Sequence, residues 1–298
     1  MNQENEQVWL IASLFCLKSN WQELLSSGIQ PFLCGLSENH QIDSFRVILN
    51  ESRGENIRLS ILAPQSLGGY LAGYTDSYFK QYFQDKKFQA QPGLNTEVER
   101  AIFMPFPENS IQYGLYAVAV DEDFVDLRYK AMPWVLTEGL SADEVDKDAI
   151  VTFGFYLHLS TLKALMIIDR NASQTITSYH QSIVADAQQN IKEEQLHKNI
   201  AENWHCLHQM AEDVFPLEHG NENVFPWLLR WEDTIISEFE KIPQTKDGIT
   251  SGYVRISNLI NSSLSLNKSD QILISCYMVN IIGINGPIDL WISLNNNS

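Results

Sequence analysis

The chain has 298 residues, 44% apolar and 19% charged, enough apolar matter for one large core or two modest ones, and a composition unlike that of a disordered chain. Its formal net charge is −17, and its Lys and Arg residues are few and scattered. Direct nucleic-acid binding, which draws on clustered cations, is therefore not expected, and the negative excess reads first as a solubility feature.

Residues 8–16, VWLIASLFC, have the apolar density of a central strand. Ser19 then reads as an N-cap for a helix with Trp21, Leu24, Leu25 and Phe32 on one stripe, bent or ended by Pro31. Residues 45–62, FRVILNESRGENIRLSIL, read as a hairpin whose turn uses Gly54 for a positive φ. In the return strand Ile57, Leu59 and Ile61 point to the core, and Asn56, Arg58 and Ser60 to the other face. The aromatic run at 74–83 reads as a packing face, with a peptide-lining role as the alternative. Residues 101–120 suggest further strands around a proline-rich bend, with a corner at Tyr113-Gly114.

From about residue 122 the pattern becomes helical. Ser141-Ala142-Asp143-Glu144 is a capping-box sequence before a run to Ile168. The segment 149–168 has the length of a membrane span, but His158, Lys163 and several hydroxyls interrupt it, so a buried helix and no membrane partner are expected. Further helical regions are read at 174–214, 224–241 and 268–284, with a loop at 243–248. The expected class is α+β: a mixed sheet mainly in the N-terminal half (about 1–120), with long helices from the C-terminal half (about 121–298) in one domain or two joined lobes.

Few motifs with defined chemistry appear. There is no phosphate loop, no GxGxxG after a strand and no nucleophile elbow, so no cofactor is expected. His205, His208 and Glu212 share a helical face near Cys206, but without HExxH spacing or a fourth ligand the expectation is no metal. Cys16, Cys34, Cys206 and Cys276 form no CxxC pair, and the first ten residues lack a secretory n-region. Both point to reduced thiols in a cytoplasmic protein. His158 within the apolar run reads as a core histidine, with a proton-transfer role as the alternative.

The order of these segments resembles the thiopeptide-type bacteriocin biosynthesis domain. That family contains the glutamate-elimination part of class I lanthipeptide dehydratases and, as free-standing relatives, the pyridine synthases of thiopeptide pathways. ENIRLSIL falls on a His-(Ile/Leu)-Arg-Leu-Arg-like motif, with Asn56 at the histidine, Arg58 at the first arginine and Ser60 at the second. SIQYGLY falls on a Glu-Arg-Tyr-Gly-Gly-like corner, where Tyr113 and Gly114 match, Gln112 stands for the arginine and Leu115 for the second glycine. SCYMVNII falls on a C-terminal His-rich motif followed by Asn, where Asn280 matches and Cys276, Tyr277 and Met278 replace the histidines.

The resemblance implies a single elimination-like domain over residues 1–298 and a role in making modified peptides. A larger glutamylating dehydratase would be the partner, a precursor peptide the substrate, and a homodimer is left open. Removal of glutamate from a glutamylated Ser or Thr needs a base for the α-proton, cations for the enolate oxygen and a grip on the leaving carboxylate. The implied catalytic candidates are Arg58, with Tyr277 and His158 for proton transfer. The binding candidates are Asn56, Arg58, Ser60, Gln112, Tyr113 and Arg46, although Arg46, like Arg53, is expected to face elsewhere or lie in the turn. With two family arginines and a histidine replaced, two other readings stand beside elimination. One is a peptide-binding subunit without turnover; the other is a pyridine-synthase-like cyclase, which needs fewer charged groups.

Overall fold

The computed structural model describes residues 7–42, 44–88, 105–114, 124–140, 145–188, 193–216, 225–242 and 245–283, with backbone only at 187–188 and 193–201. The class is α+β. Two compact units emerge: residues 1–149 with Ser263–Ser265, and residues 150–262 with 266–298.

In the first unit four strands form a sheet in the order β2-β3-β1-β4, and every described pairing is antiparallel. They are β1 (Gln7–Phe15), β2 (Ser44–Asn50), β3 (Asn56–Pro64) and β4 (Ser110–Tyr113). The apolar density of β1 fits its inner position. The β2–β3 turn places both Arg53 (φ 61°) and Gly54 (φ 115°) in the left-handed region. Gly54 meets that demand without a Cβ. Arg53 does so while its guanidinium lies 4.1 Å above the Phe106 ring. Leu14, Val47, Leu49, Ile57, Leu59 and Ile61 are all buried on one face, as the two-residue period requires.

Helix α3 (Gln65–Lys86) follows β3 directly and approaches this face closely at Gly68, where a Cβ would sit 3.3 Å from Val8. Its Phe79 packs against Phe32, centroids 5.0 Å apart. The aromatic run is thus split: Phe79, Tyr82 and Phe83 are buried, while Tyr74 is exposed and stacks on Tyr70, which precedes the run and is also exposed.

The helix expected after β1 starts differently. Ser19 is no N-cap; it lies inside a 3₁₀ turn, Lys18–Asn20, followed by α1 (Trp21–Glu23). Pro31 does not end the helix either, because a π-helical turn, Leu24–Ile29, leads into α2 (Gln30–Glu38). Proline lacks an N–H and its ring crowds the carbonyl four residues back; the wider turn relieves both. The same device recurs at Leu127–Ala131, ahead of Pro133 in α4 (Met132–Gly139), with the Met132 N–H bonded to the Leu127 carbonyl.

The second unit is helical. Helix α5 (Lys147–Ile168) supplies it from Ile150 onward. The capping box expected at 141–144 lies outside the described residues; at the helix start Asp146 accepts the Ala149 N–H at 2.7 Å. Among the described residues α5 is the one helix long and apolar enough to cross a membrane, and 78% of its most apolar window is buried in the structure. The region 174–214 is two helices, α6 (Ala172–Gln188) and α7 (Glu193–Val214). After α8 (Pro226–Phe239), the presumed loop at 243–248 already contains the start of α9 (Lys246–Ser263), and α10 (Lys268–Gly283) packs on α6. Gly252 admits the Phe239 ring, which would lie 2.6 Å from a Cβ there.

Candidate functional site

Strand register decides which side chains share a face. Arg58 stands opposite Ile48 on β2 and Ser13 on β1, and Ser13 stands opposite Gln112 on β4. These four form one row, with Arg58 and Gln112 two strand spacings apart, about 10 Å. In the next row Arg46 stands opposite Ser60. Directly opposed Cβ atoms are about 5 Å apart and diagonal ones about 7–8 Å. Arg46 is therefore on the same face as Arg58, a diagonal step away, and not turned elsewhere as its position in the hairpin suggests. A guanidinium thus stands on the neighbouring strand at the position paired with Ser60.

This face is partly roofed by the second π-helical turn. Tyr129 packs against Trp9, centroids 5.2 Å apart, and Trp9 is in the Leu62 row of the same face. Arg128, one residue earlier, is close enough to repel Arg46. Arg46 is only 7% exposed. Burial first, then Arg128 and Arg58, bring its pKa down from 12.5 to about 10, with Tyr129 opposing. At neutral pH Arg46 still carries its charge. Among the described residues, the Nε atoms of Arg46 and Arg128 are buried and have no hydrogen-bond partner.

Two sequence candidates are removed from this face or committed elsewhere. Tyr113 pairs with Ala12, whose side chain is in the core, so it points away from Gln112 to the opposite side. There it is 42% exposed, and burial of its ring together with Asp76 raises its hydroxyl pKa to about 12. Asn56 is on the arginine face by register, but its amide closes the hairpin. It donates to the Gly54 carbonyl at 2.8 Å and the Ser52 carbonyl at 3.3 Å, and accepts from Asn50 at 3.3 Å. Its role is to hold the turn. Ser60, Gln112, Arg46 and Arg58 share this face, and Arg128, which lies in none of the sequence motifs, is close to Arg46.

His158 and Tyr277 belong to the helical unit. His158 is buried, and its Nδ1 is 2.9 Å from the Tyr253 hydroxyl. That hydroxyl is 2.6 Å from His180 Nε2, and His180 Nδ1 is 3.0 Å from Ser275 Oγ. Ser275 spends its single proton on the Gln271 carbonyl at 2.8 Å. The rest follows by donor arithmetic: His180 donates through Nδ1 to Ser275, Tyr253 donates to His180 Nε2, and His158 donates through Nδ1 to Tyr253. Both imidazoles are neutral in this arrangement. Burial lowers the His158 pKa to about 4, with the Asn261 side chain pulling the other way; burial and then His158 lower that of His180. His158 is thus a hydrogen-bonded core histidine, the first of the two readings given to it, although the Oδ1 of the neighbouring Asn261 is buried without a partner among the described residues. Tyr277 is nearly buried, its ring edge-on to Phe155 at 5.6 Å.

Nearby, Glu232 is buried with Lys163 at 3.0 Å and Ser160 at 3.0 Å, a paired internal charge. On α7, His208 lies 3.7 Å from Glu212, and among the described residues no three His, Cys, Asp or Glu side chains converge as metal ligands would.

No family model matches this sequence, and no curated protein does. Solved structures do match in fold. TsrL superposes with a TM-score of 0.56 at 10% identity, over 92% of this chain and 93% of that one. The pyridine synthase TbtD from thiomuracin biosynthesis superposes with a TM-score of 0.65 at 15% identity, over 92% of this chain and 99% of that one. The chain thus has the fold of that pyridine synthase over nearly its whole length.

Proposed function

We propose that this protein modifies a ribosomally made peptide by eliminating glutamate from glutamylated Ser or Thr. The observation that carries the reading is the placement of Arg46 opposite Ser60, a diagonal step from Arg58. A second cation on this face answers the main objection raised by the replaced motif arginine.

In this reaction a base takes the α-proton of the glutamylated residue, the Cβ–O bond breaks, the Cα=Cβ double bond forms and glutamate departs as a carboxylate. Arg58 holds an oxygen that gains negative charge, and Arg46 supports it from the adjacent strand. Ser60 and Gln112 offer neutral hydrogen bonds to an extended peptide along the same face. A larger glutamylating partner would supply the substrate.

The test is incubation with a glutamyl-serine peptide, read by mass spectrometry for loss of glutamate. Wild type should produce dehydroalanine, and Arg58→Ala should slow it by about 10²–10³-fold, the usual cost of removing one donor to a developing oxyanion. An unchanged rate in Arg58→Ala removes the assignment. Peptide binding without product in wild type points to the non-catalytic subunit.

The fold likeness to a pyridine synthase favours a second reading, cyclisation of a peptide carrying two dehydroalanines. Appearance of a pyridine chromophore with that peptide, and no glutamate loss with the first, would select it.

A further inference from the structure

We propose that Arg46 and Arg128, from different elements of the sheet-containing unit, form a built binding site for a carboxylate. The inference rests on the proposed function and deepens it by assigning the carboxylate grip to a buried pair that includes a residue, Arg128, outside every motif of the chain.

Two features carry it. Arg46 is more than nine-tenths buried, yet its Nε has no hydrogen-bond partner among the described residues, and neither does the buried Nε of Arg128. Buried polar nitrogens are normally paired, and an unpaired one carries a desolvation penalty that a ligand can remove. The two groups also have the same sign and lie close enough to oppose each other. Such a pair is held together by the fold and relieved by an anion between its members.

The surroundings select the kind of anion. Tyr129 lies near Arg46 and packs at a tilt on Trp9 of the same sheet face, so the pair has aromatic neighbours. A carboxylate on a short aliphatic stem suits such neighbours, and guanidinium matches its two oxygens bidentately. A doubly charged, strongly hydrated phosphate would lose more on entry. The site is also local: at a net charge of −17 the chain as a whole repels anions, so general electrostatic attraction would not produce binding.

The test is calorimetric titration of the whole chain with glutarate, inorganic phosphate and chloride, with no peptide present. Glutarate should bind at least about tenfold more tightly than phosphate, and chloride should show no saturable heat. Arg128→Gln should weaken glutarate binding by about tenfold or more, as loss of one charge-assisted bond predicts. Lys130→Gln is the control for simple loss of charge: it lies on the same turn but is exposed and paired with Asp126 at 2.7 Å, and it should leave binding unchanged. Arg46→Gln should act like Arg128→Gln; circular dichroism checks its folding, and the less buried Arg128 decides the matter if Arg46→Gln unfolds. Phosphate binding more tightly than glutarate overturns the carboxylate assignment. Absent glutarate binding, or binding indifferent to Arg128→Gln, overturns the site. Glutarate binding without peptide turnover would sink elimination alone, and turnover without a glutarate site would sink this inference alone.

Discussion

One buried polar cluster in each unit makes an instructive pair. In the helical unit, His158, Tyr253, His180 and Ser275 pass hydrogen bonds along a line that ends on a backbone carbonyl. In the sheet unit, Arg46 and Arg128 are drawn together with buried nitrogens unanswered among the described residues. A completed network fixes a fold; an incomplete one costs stability and is kept where something else completes it. The contrast fits an architectural part for the histidines and the recognition proposed for the arginines.

The widest test of that contrast is pH. In the folded chain the His158 pKa is held near 4 against an ordinary 6.5, so the fold prefers the neutral ring and the unfolded chain takes up the proton first. The stabilisation is complete above pH 6.5 and is lost as pH falls towards 4, about 3 kcal/mol for this residue at 1.4 kcal/mol per pH unit. Urea melts across this range should show the loss, and His158→Gln should flatten it. An unchanged slope in that variant would mean that the burial of His158 is not the source of the pH dependence.

Tyr253→Phe should cost about 2 kcal/mol, because it leaves His180 without a donor and His158 without an acceptor inside the core. Equilibrium denaturation reads it directly. The mirror experiment has a smaller effect of opposite sign. Arg46→Met replaces a buried, repelled cation with an apolar side chain of similar reach, and should gain about 1 kcal/mol while losing glutarate binding. A variant that is both destabilised and still binding would erase the distinction between the regions.

The hairpin was legible because alternation of apolar and polar residues assigns Arg58 and Ser60 to one face without further information. Arg46 was misjudged because facing depends on cross-strand register, which requires the length of the turn and the first pair beyond it, here Asn50 with Asn56. Tyr113 lies on the other face from Gln112 for a simpler reason: adjacent residues of a strand point to opposite sides. Arg128 carried no signal of its own, although Pro133 a few residues on was a clue to a distorted turn. Helix α9 was hidden by Gly, Ser, Thr and Asn, poor helix formers, while Ile249, Tyr253, Ile256 and Ile260 kept the helical spacing that could have revealed it.

The widened turn at Leu127–Ala131 holds one residue more than an ordinary helical turn would. Each helical residue advances the side-chain direction by about 100°. Loss of a single codon there would rotate Arg128 relative to α4 by about that angle. The length of that turn, independently of any strand residue, therefore sets the direction of this side chain.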